Sequence, residues 1–389
     1  NDKTFTLKLN EPYGLVLDSL GKISSNVPFM MPERLAKTDA FEAVPEVIGS
    51  GPFVFDKDGY IPGVKVTYRK NTNYKPRSEP ASYAAGGKVV HFDTVEWLYI
   101  PDPATTMNAL IAGEIDFWET PSPDLVAGME GNPDITIKVI DPLGTQGWLR
   151  PNHLNPPFDN AKARQALLHM VKQEDYLQAI IGDQKFWRTC AAYFMCDTPL
   201  DTDIGSGPLM NQDLDEARRL LKEGGYNGET LILMDPTDIP VLHGASLVTA
   251  QMLRKIGAKV EVQAMDWSTL TSRRAETKSI ADGGWNIFHT YSTGADVASP
   301  IANIGISGGC VEEAWFGWPC DKMLEDLRDQ FSRESDPAKQ VEIGIALQKR
   351  AYEVVPYVNY GQWFQPTAYR SSLKGVLISP VPFFWNIEK

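Results

Sequence analysis

From Asn160 onward the sequence alternates helix-period and strand-period segments, and this alternation constrains the fold more than any other feature. Asp159 or Asn160 can cap a helix that runs to Val171. Asp213 sits three residues before Glu216, a capping-box-like start. Leu214, Ala217 and Leu221 then recur at helical spacing, and Gly224-Gly225 closes that helix. A further helix is predicted over residues 241–256, then a strand over 259–263, a helix over about 268–278 and a strand over 285–291. Two more helices follow, roughly 321–333 and 337–354. Helices interleaved with strands in this way specify an α/β layer.

The first part of the chain reads differently. Phe5, Leu7 and Leu9 alternate with polar residues and predict a strand. Gly49-Ser50-Gly51 turns into a strand at 53–55, and residues 64–69 and 94–100 continue the strand pattern. A helix over 103–111 is closed by Gly113, and Ile115-Asp116-Phe117 begins another strand. This shift suggests two lobes, as does a length of 389 residues at about 150 residues per domain. Segments 145–152 and 357–366 are extended and bounded by Pro. They are read as two strands crossing between the lobes, an arrangement that makes a hinge.

Net charge is −13 with 37 basic and 50 acidic residues, which disfavours nucleic acid or an anionic membrane surface as the main partner. No run approaches the roughly 18 apolar residues of a membrane span, and the start, Asn1-Asp2-Lys3-Thr4, lacks the pattern of a signal peptide. Four cysteines allow three connectivities. The most economical closes two local loops, Cys190 to Cys196 and Cys310 to Cys320. That reading implies disulfides and an oxidising compartment; four buried free thiols are the alternative. The five His residues are scattered, so no metal or other cofactor is expected.

Several stretches, in order along the chain, resemble the extracellular solute-binding proteins of peptide and nickel ABC importers, the dipeptide/oligopeptide-binding type. Gly49-Ser50-Gly51-Pro52-Phe53, followed by Lys70-Asn71-Thr72-Asn73-Tyr74, resembles that family's G-[ST]-G-P-[YF] turn and R-N-x-x-Y strand end. Residues 109–116, Ala-Leu-Ile-Ala-Gly-Glu-Ile-Asp, resemble A-L-x-x-G-E-[IV]-D. Pro157-Phe158-Asp159-Asn160 with Arg164-Gln165-Ala166-Leu167 resembles P-F-x-[DN]-x-x-V-R-Q-A-[LI], with Ala163 at the Val position. Residues 215–226 resemble D-x-x-K-A-[RK]-x-L-L-x-E-A-G-Y, with Glu216 at the Lys position and Gly224 at the Ala position.

The resemblance implies a two-lobed α/β fold of the type II periplasmic binding protein kind, with mixed sheets and an interlobe hinge. It sets lobe I at 1–147, lobe II at 148–362 and a return to lobe I at 363–389. The family's chains open with a further stretch of the first lobe, so these residues read as the C-terminal portion of a larger protein, with lobe I incomplete. The implied function is a monomeric periplasmic carrier that takes a peptide or small polar solute in an interlobe cleft. It would deliver that solute to an inner-membrane ABC permease.

A cleft of this kind needs aromatic walls and a few fixed polar groups. Trp148, Arg150 and Asn152 alternate on one extended segment and would share a face. Trp285, Tyr291 and Asp296 lie where the family carries a Trp-rich strand end and an acidic loop, although its Asp-Pro pair stands here as Ser299-Pro300. Trp267 and Trp363 are further aromatic candidates. Where the family's carboxylate-clamping Arg is expected, His243-Gly244 stands instead, leaving Arg188, Arg273 and Arg274 as substitutes. The alternative for each aromatic is a core role, and for each Arg a solvated surface.

Competing functions leave weaker marks. Gly305-Ile306-Ser307-Gly308-Gly309 fits the G-x-S-x-G pattern of serine hydrolases, yet no His follows Ser307 in the sequence. No Walker loop or G-x-G-x-x-G is present. A carrier of a metal chelate, haem or sugar is the nearer alternative, and His243 and His289 would serve a chelate.

Overall fold

A computed structural model describes residues 4–22, 27–39 and 42–389, so the opening residues 1–3 lie outside it. The chain divides into two compact units. The smaller comprises Leu20–Pro142 and Phe364–Lys389, and the larger comprises Leu143–Trp363 with the segment ending at Ser19.

The smaller unit holds two three-stranded sheets. In the first, β1 (Phe53–Ile61), β2 (Lys65–Lys70) and β3 (Thr94–Leu98) pair antiparallel in that order, so β3 is an edge. Helix α1 (Pro103–Ala112) follows. Its N-terminus is capped by Asp102, whose carboxylate accepts from the Thr105 N–H at 2.7 Å. It closes at Gly113, whose φ of 77° is the left-handed conformation glycine adopts freely. The second sheet places β12 (Pro366–Arg370) between β4 (Phe117–Trp118) and β5 (Ile135–Val139). Helices α1 and α2 (Pro123–Met129) bury Leu110 and Met129 against Ile135 and Ala368.

The larger unit is built on one six-stranded sheet. Its strands are β6 (Thr145–Pro151), β7 (Trp187–Arg188), β8 (Thr230–Pro236), β9 (Lys259–Met265), β10 (Ile287–Thr293) and β11 (Val358–Trp363), in the order β7-β11-β6-β10-β8-β9. Strands β8, β9 and β10 are mutually parallel, while β6 runs antiparallel to both β10 and β11. Its helices of seven or more residues are α3 (Ala161–Met170), α4 (Gln173–Ile180), α5 (Leu214–Glu223), α6 (Pro240–Lys255), α7 (Trp267–Arg273), α8 (Lys322–Arg333) and α9 (Pro337–Val354). Asn160 and Asp213 cap α3 and α5 as expected, accepting from the N–H groups of Lys162 and of Asp215 and Glu216.

One sequence expectation is corrected here. Residues 5–9 form no strand: Phe5, Leu7 and Leu9 are exposed and the segment pairs with no neighbour among the described residues. Alternation specifies a strand only where an edge receives it. Segments 145–152 and 357–366 are extended as expected: β6 and β11 lie side by side as central, buried strands of the larger sheet, and the chain changes unit just before the first, at 142/143, and within the second, at 363/364. Every residue of β11 and all but Thr145 of β6 are buried, and the polar side chains among them, Gln146, Arg150, Asn359 and Gln362, are hydrogen-bonded. Both disulfides, Cys190–Cys196 and Cys310–Cys320, are formed and lie in this unit.

Candidate functional site

Parallel strands send their carboxyl ends to one rim of a sheet, and the helices that follow present their N-termini there. In the larger unit this rim gathers Asp235 and Pro236 of β8, Met265 of β9, Thr293 of β10 and Trp363 of β11. Helices α6 and α7 start beside it.

Four of the eight sequence-predicted ligand residues lie within three residues of this rim, at strand ends or helix starts. Tyr291 is 44% exposed and meets Trp363 edge to face, with ring centroids 5.8 Å apart. Trp363 is itself enclosed and stacks on Tyr360 at 6.3 Å. Asp296 accepts from the Thr293 hydroxyl at 3.0 Å, just past the end of β10. Trp267 opens α7, its N–H bonded to the Asp238 carboxylate at 2.8 Å. Before it, Asp266 caps the helix by accepting from the Thr269 hydroxyl and N–H, and these bonds hold its carboxyl below the usual range.

Sequence reasoning missed Asp235. Its buried carboxylate sits 2.9 Å, through both oxygens, from Nδ1 of half-exposed His243 on α6. A polar residue closing the apolar run Leu231–Met234 was the available signal, since a strand that ends in a carboxylate delivers it to the rim.

The other four candidates are enclosed. Trp148 lies mid-strand, stacked on Tyr357 at 4.5 Å, and donates to the Gln146 side-chain oxygen at 2.9 Å. Arg150 is fully buried with its guanidinium among backbone carbonyls, donating to Phe316 at 2.6 Å, Pro356 at 2.8 Å, Trp315 at 3.1 Å, and Gly305. Burial lowers its pKa to about 9. Asn152, at the opposite rim, donates to the Trp285 carbonyl at 2.9 Å. Trp285 packs in the core with Phe288 at 5.1 Å and Trp318 at 5.8 Å. Trp148 and Arg150 do share a face, but the segment 303–318 covers that face. The structure therefore places these four inside the larger unit.

The substitute arginines are also accounted for. Arg188 pairs with Asp197 and donates to Gln362 at 2.9 Å. Arg273 reaches the carbonyls of Gly283 and Gly284. Arg274 has no carboxylate partner among the described residues; its guanidinium lies 4.8–5.7 Å from the rings of Trp267, Phe288, Trp315 and Phe316. His289 is enclosed by α6 and bonds to Thr249 at 2.9 Å, so a chelate cannot reach it without unfolding that layer. Among the described residues no three His, Cys, Asp or Glu side chains gather as a metal site would require. Ser307 follows a single helical turn, Ile304–Ile306, rather than the strand of a nucleophile elbow.

Solved structures of similar fold are binding proteins. AgaA of A. tumefaciens R10, in complex with agropinic acid, matches with a TM-score of 0.70 at 21% identity, over 87% of this chain and 67% of that one. The periplasmic DppA of Helicobacter pylori, in complex with the peptide STSA, matches with a TM-score of 0.70 at 22% identity, over 87% and 62%. These establish the fold: a mixed α/β, two-lobed periplasmic binding protein architecture. The family model for bacterial extracellular solute-binding proteins, family 5 (middle), matches residues 1–311. A probable peptide ABC transporter periplasmic-binding protein, y4tO of Sinorhizobium fredii, is 36% identical over all of this chain and 73% of its own length. The chain belongs to the family 5 extracellular solute-binding proteins. It spans between 62% and 73% of the length of these three proteins.

Proposed function

We propose that the chain is the solute-binding component of an ABC import system, that its cargo is a peptide or peptide-like solute, and that the carboxyl rim of the larger sheet meets that cargo. The observation that carries this reading is half-exposed Tyr291, its ring against Trp363, on a rim to which β8 and the turn after β10 also bring the carboxylates of Asp235 and Asp296. An aromatic wall suits apolar side chains, and fixed carboxylates suit an ammonium group, which needs a counter-charge once water is excluded. The 36% identical relative, named as a probable peptide ABC transporter periplasmic-binding protein, supports the same cargo. On this reading the protein works as a monomer in the periplasm, after export across the inner membrane, and hands its solute to an inner-membrane permease. Tyr291, Trp363, Asp296 and Trp267 form the contact set. Trp148, Arg150, Asn152 and Trp285 hold the sheet behind them.

Calorimetric titration with di- to pentapeptides tests this. Tyr291→Ala is expected to weaken the best peptide about tenfold, or about 1.4 kcal/mol, while leaving the unfolding transition in place. Unchanged affinity in a folded variant, or saturable binding only of sugars or metal chelates, would overturn the peptide reading.

A further inference from the structure

Asp235 stands next to last in β8 and His243 in the first turn of α6, and the contact between them decides what the imidazole offers to a solute. The Asp235 side chain is 3% exposed, and both of its oxygens lie 2.9 Å from His243 Nδ1. A carboxylate only accepts, so Nδ1 carries the hydrogen and donates it. An imidazole that donates through Nδ1 keeps its lone pair on Nε2. Nε2 has no hydrogen-bond partner among the described residues, and the His243 side chain is 38% exposed. Asp235 has no Lys or Arg partner among them either. The start of α6 carries the positive end of the helix dipole, which favours a carboxylate beside it. What the pair presents to the rim is an acceptor with a fixed negative charge behind it.

The same face of the sheet carries the aromatic wall. Parallel pairing sets Phe288 level with Met234, which puts His289 level with Asp235 and Tyr291 two places further on. His289 bonds to Ser246 and Thr249, so α6 covers this face behind His243 and leaves the rim beyond it open to Tyr291. Strand geometry sets the Cβ atoms of Asp235 and Tyr291 about 8 Å apart, the length of roughly two to three residues of extended peptide. A metal ion is a poor match for the Nε2 lone pair, because Asp235 and His243 belong to no group of three potential ligands among the described residues. A hydrogen-bond donor bearing positive charge is the better match, since it meets both the lone pair and the carboxylate behind it.

We propose that His243 determines which end of a cargo peptide enters here: its Nε2 accepts an N–H of the peptide's terminal ammonium, and the second or third side chain of that peptide then lies against Tyr291. Asp235 is the positioning residue, which holds the tautomer and supplies the counter-charge through the ring. A terminal carboxylate is refused at this point, because it would face a lone pair with a second negative charge behind it. The inference rests on the peptide reading above and names the atoms that would enforce it.

The test takes the tightest binder of the di- to pentapeptide series, prepared free, N-acetylated and C-amidated. Titrations run at pH 7, above the ordinary value of histidine and below that of a terminal ammonium. Acetylation should weaken binding about tenfold or more, and amidation less than about threefold. Long-range nitrogen–hydrogen NMR spectra of the parent should place the imidazole hydrogen of His243 on Nδ1, and added peptide should shift the Nε2 signal. His243→Asn keeps a donor towards Asp235 and removes the acceptor, so its acetylation penalty should fall below about threefold. An amide can donate or accept, so Asp235→Asn keeps the shape but removes the charge and releases the tautomer. In that variant the penalty should fall likewise, and hydrogen should appear on Nε2. Peptide binding indifferent to acetylation would overturn the inference and leave the peptide reading in place, as would a parent imidazole with its hydrogen on Nε2. Amidation that weakens the parent but not His243→Asn would also overturn it, by placing the carboxylate at the imidazole. Failure of every peptide to bind would overturn both.

Discussion

An unfolded histidine takes up a proton near pH 6.5, and two imidazoles in the larger unit are held away from that proton. Burial lowers His289 to about 3. Burial, with the nearby charges of Arg164 and Arg150, also holds His153 well below its ordinary value. In both cases the folded pKa is depressed and the neutral form is the folded one. Their contribution to stability is complete above pH 6.5 and is lost as pH falls from there towards the folded values. Each can cost up to about 1.4 kcal/mol per pH unit across that window. Urea unfolding at pH 6.5 and pH 5 should show the fall, and His289→Gln should make it shallower. An unchanged slope in that variant would mean that His289 is protonated in the folded protein.

At the scale of elements, the central pair β6 and β11 depends on one missing side chain. A Cβ on Gly147 would stand 2.0 Å from the Tyr360 ring, and that ring is stacked on Tyr176 of α4 at 5.3 Å. Neither ring has room to move, so Gly147→Ala is expected to destabilise by about 1–3 kcal/mol in denaturant titration. A variant as stable as the parent would show that the Tyr360 layer yields. The sequence announced most elements where local chemistry decides them. Asn160 and Asp213 cap as their types require, and Gly113 and Gly224 end helices. It could not announce which face of β6 is covered. The cover over Trp148 and Arg150 comes from Gly305, Trp315 and Phe316, more than 150 residues further along the chain. For the same reason Tyr291 and Trp363 were legible as aromatic candidates, whereas their meeting at one rim depended on strand order, which no local pattern encodes.

At the scale of the whole molecule, the two units are closed by different means. The smaller is assembled from segments on both sides of Leu143–Trp363, β12 completing a sheet begun by β4 and β5. Such a unit finishes only when the end of the chain is present, so its contacts are of long sequence range and expected to form late. The larger unit holds all four cysteines, paired across separations of only 6 and 10 residues. Either alternative pairing scheme would have to close loops of more than about 110 residues. Because encounter probability falls roughly as the three-halves power of loop length, each cysteine meets its native partner about forty to a hundred times more often than a wrong one. Reduced, unfolded chain reoxidised in air should therefore recover both native links without an isomerase, and peptide mapping would detect any scrambling. For a protein proposed to work in the periplasm, this amounts to proofreading by proximity: the order of residues along the chain selects the correct covalent state before any tertiary structure exists to enforce it.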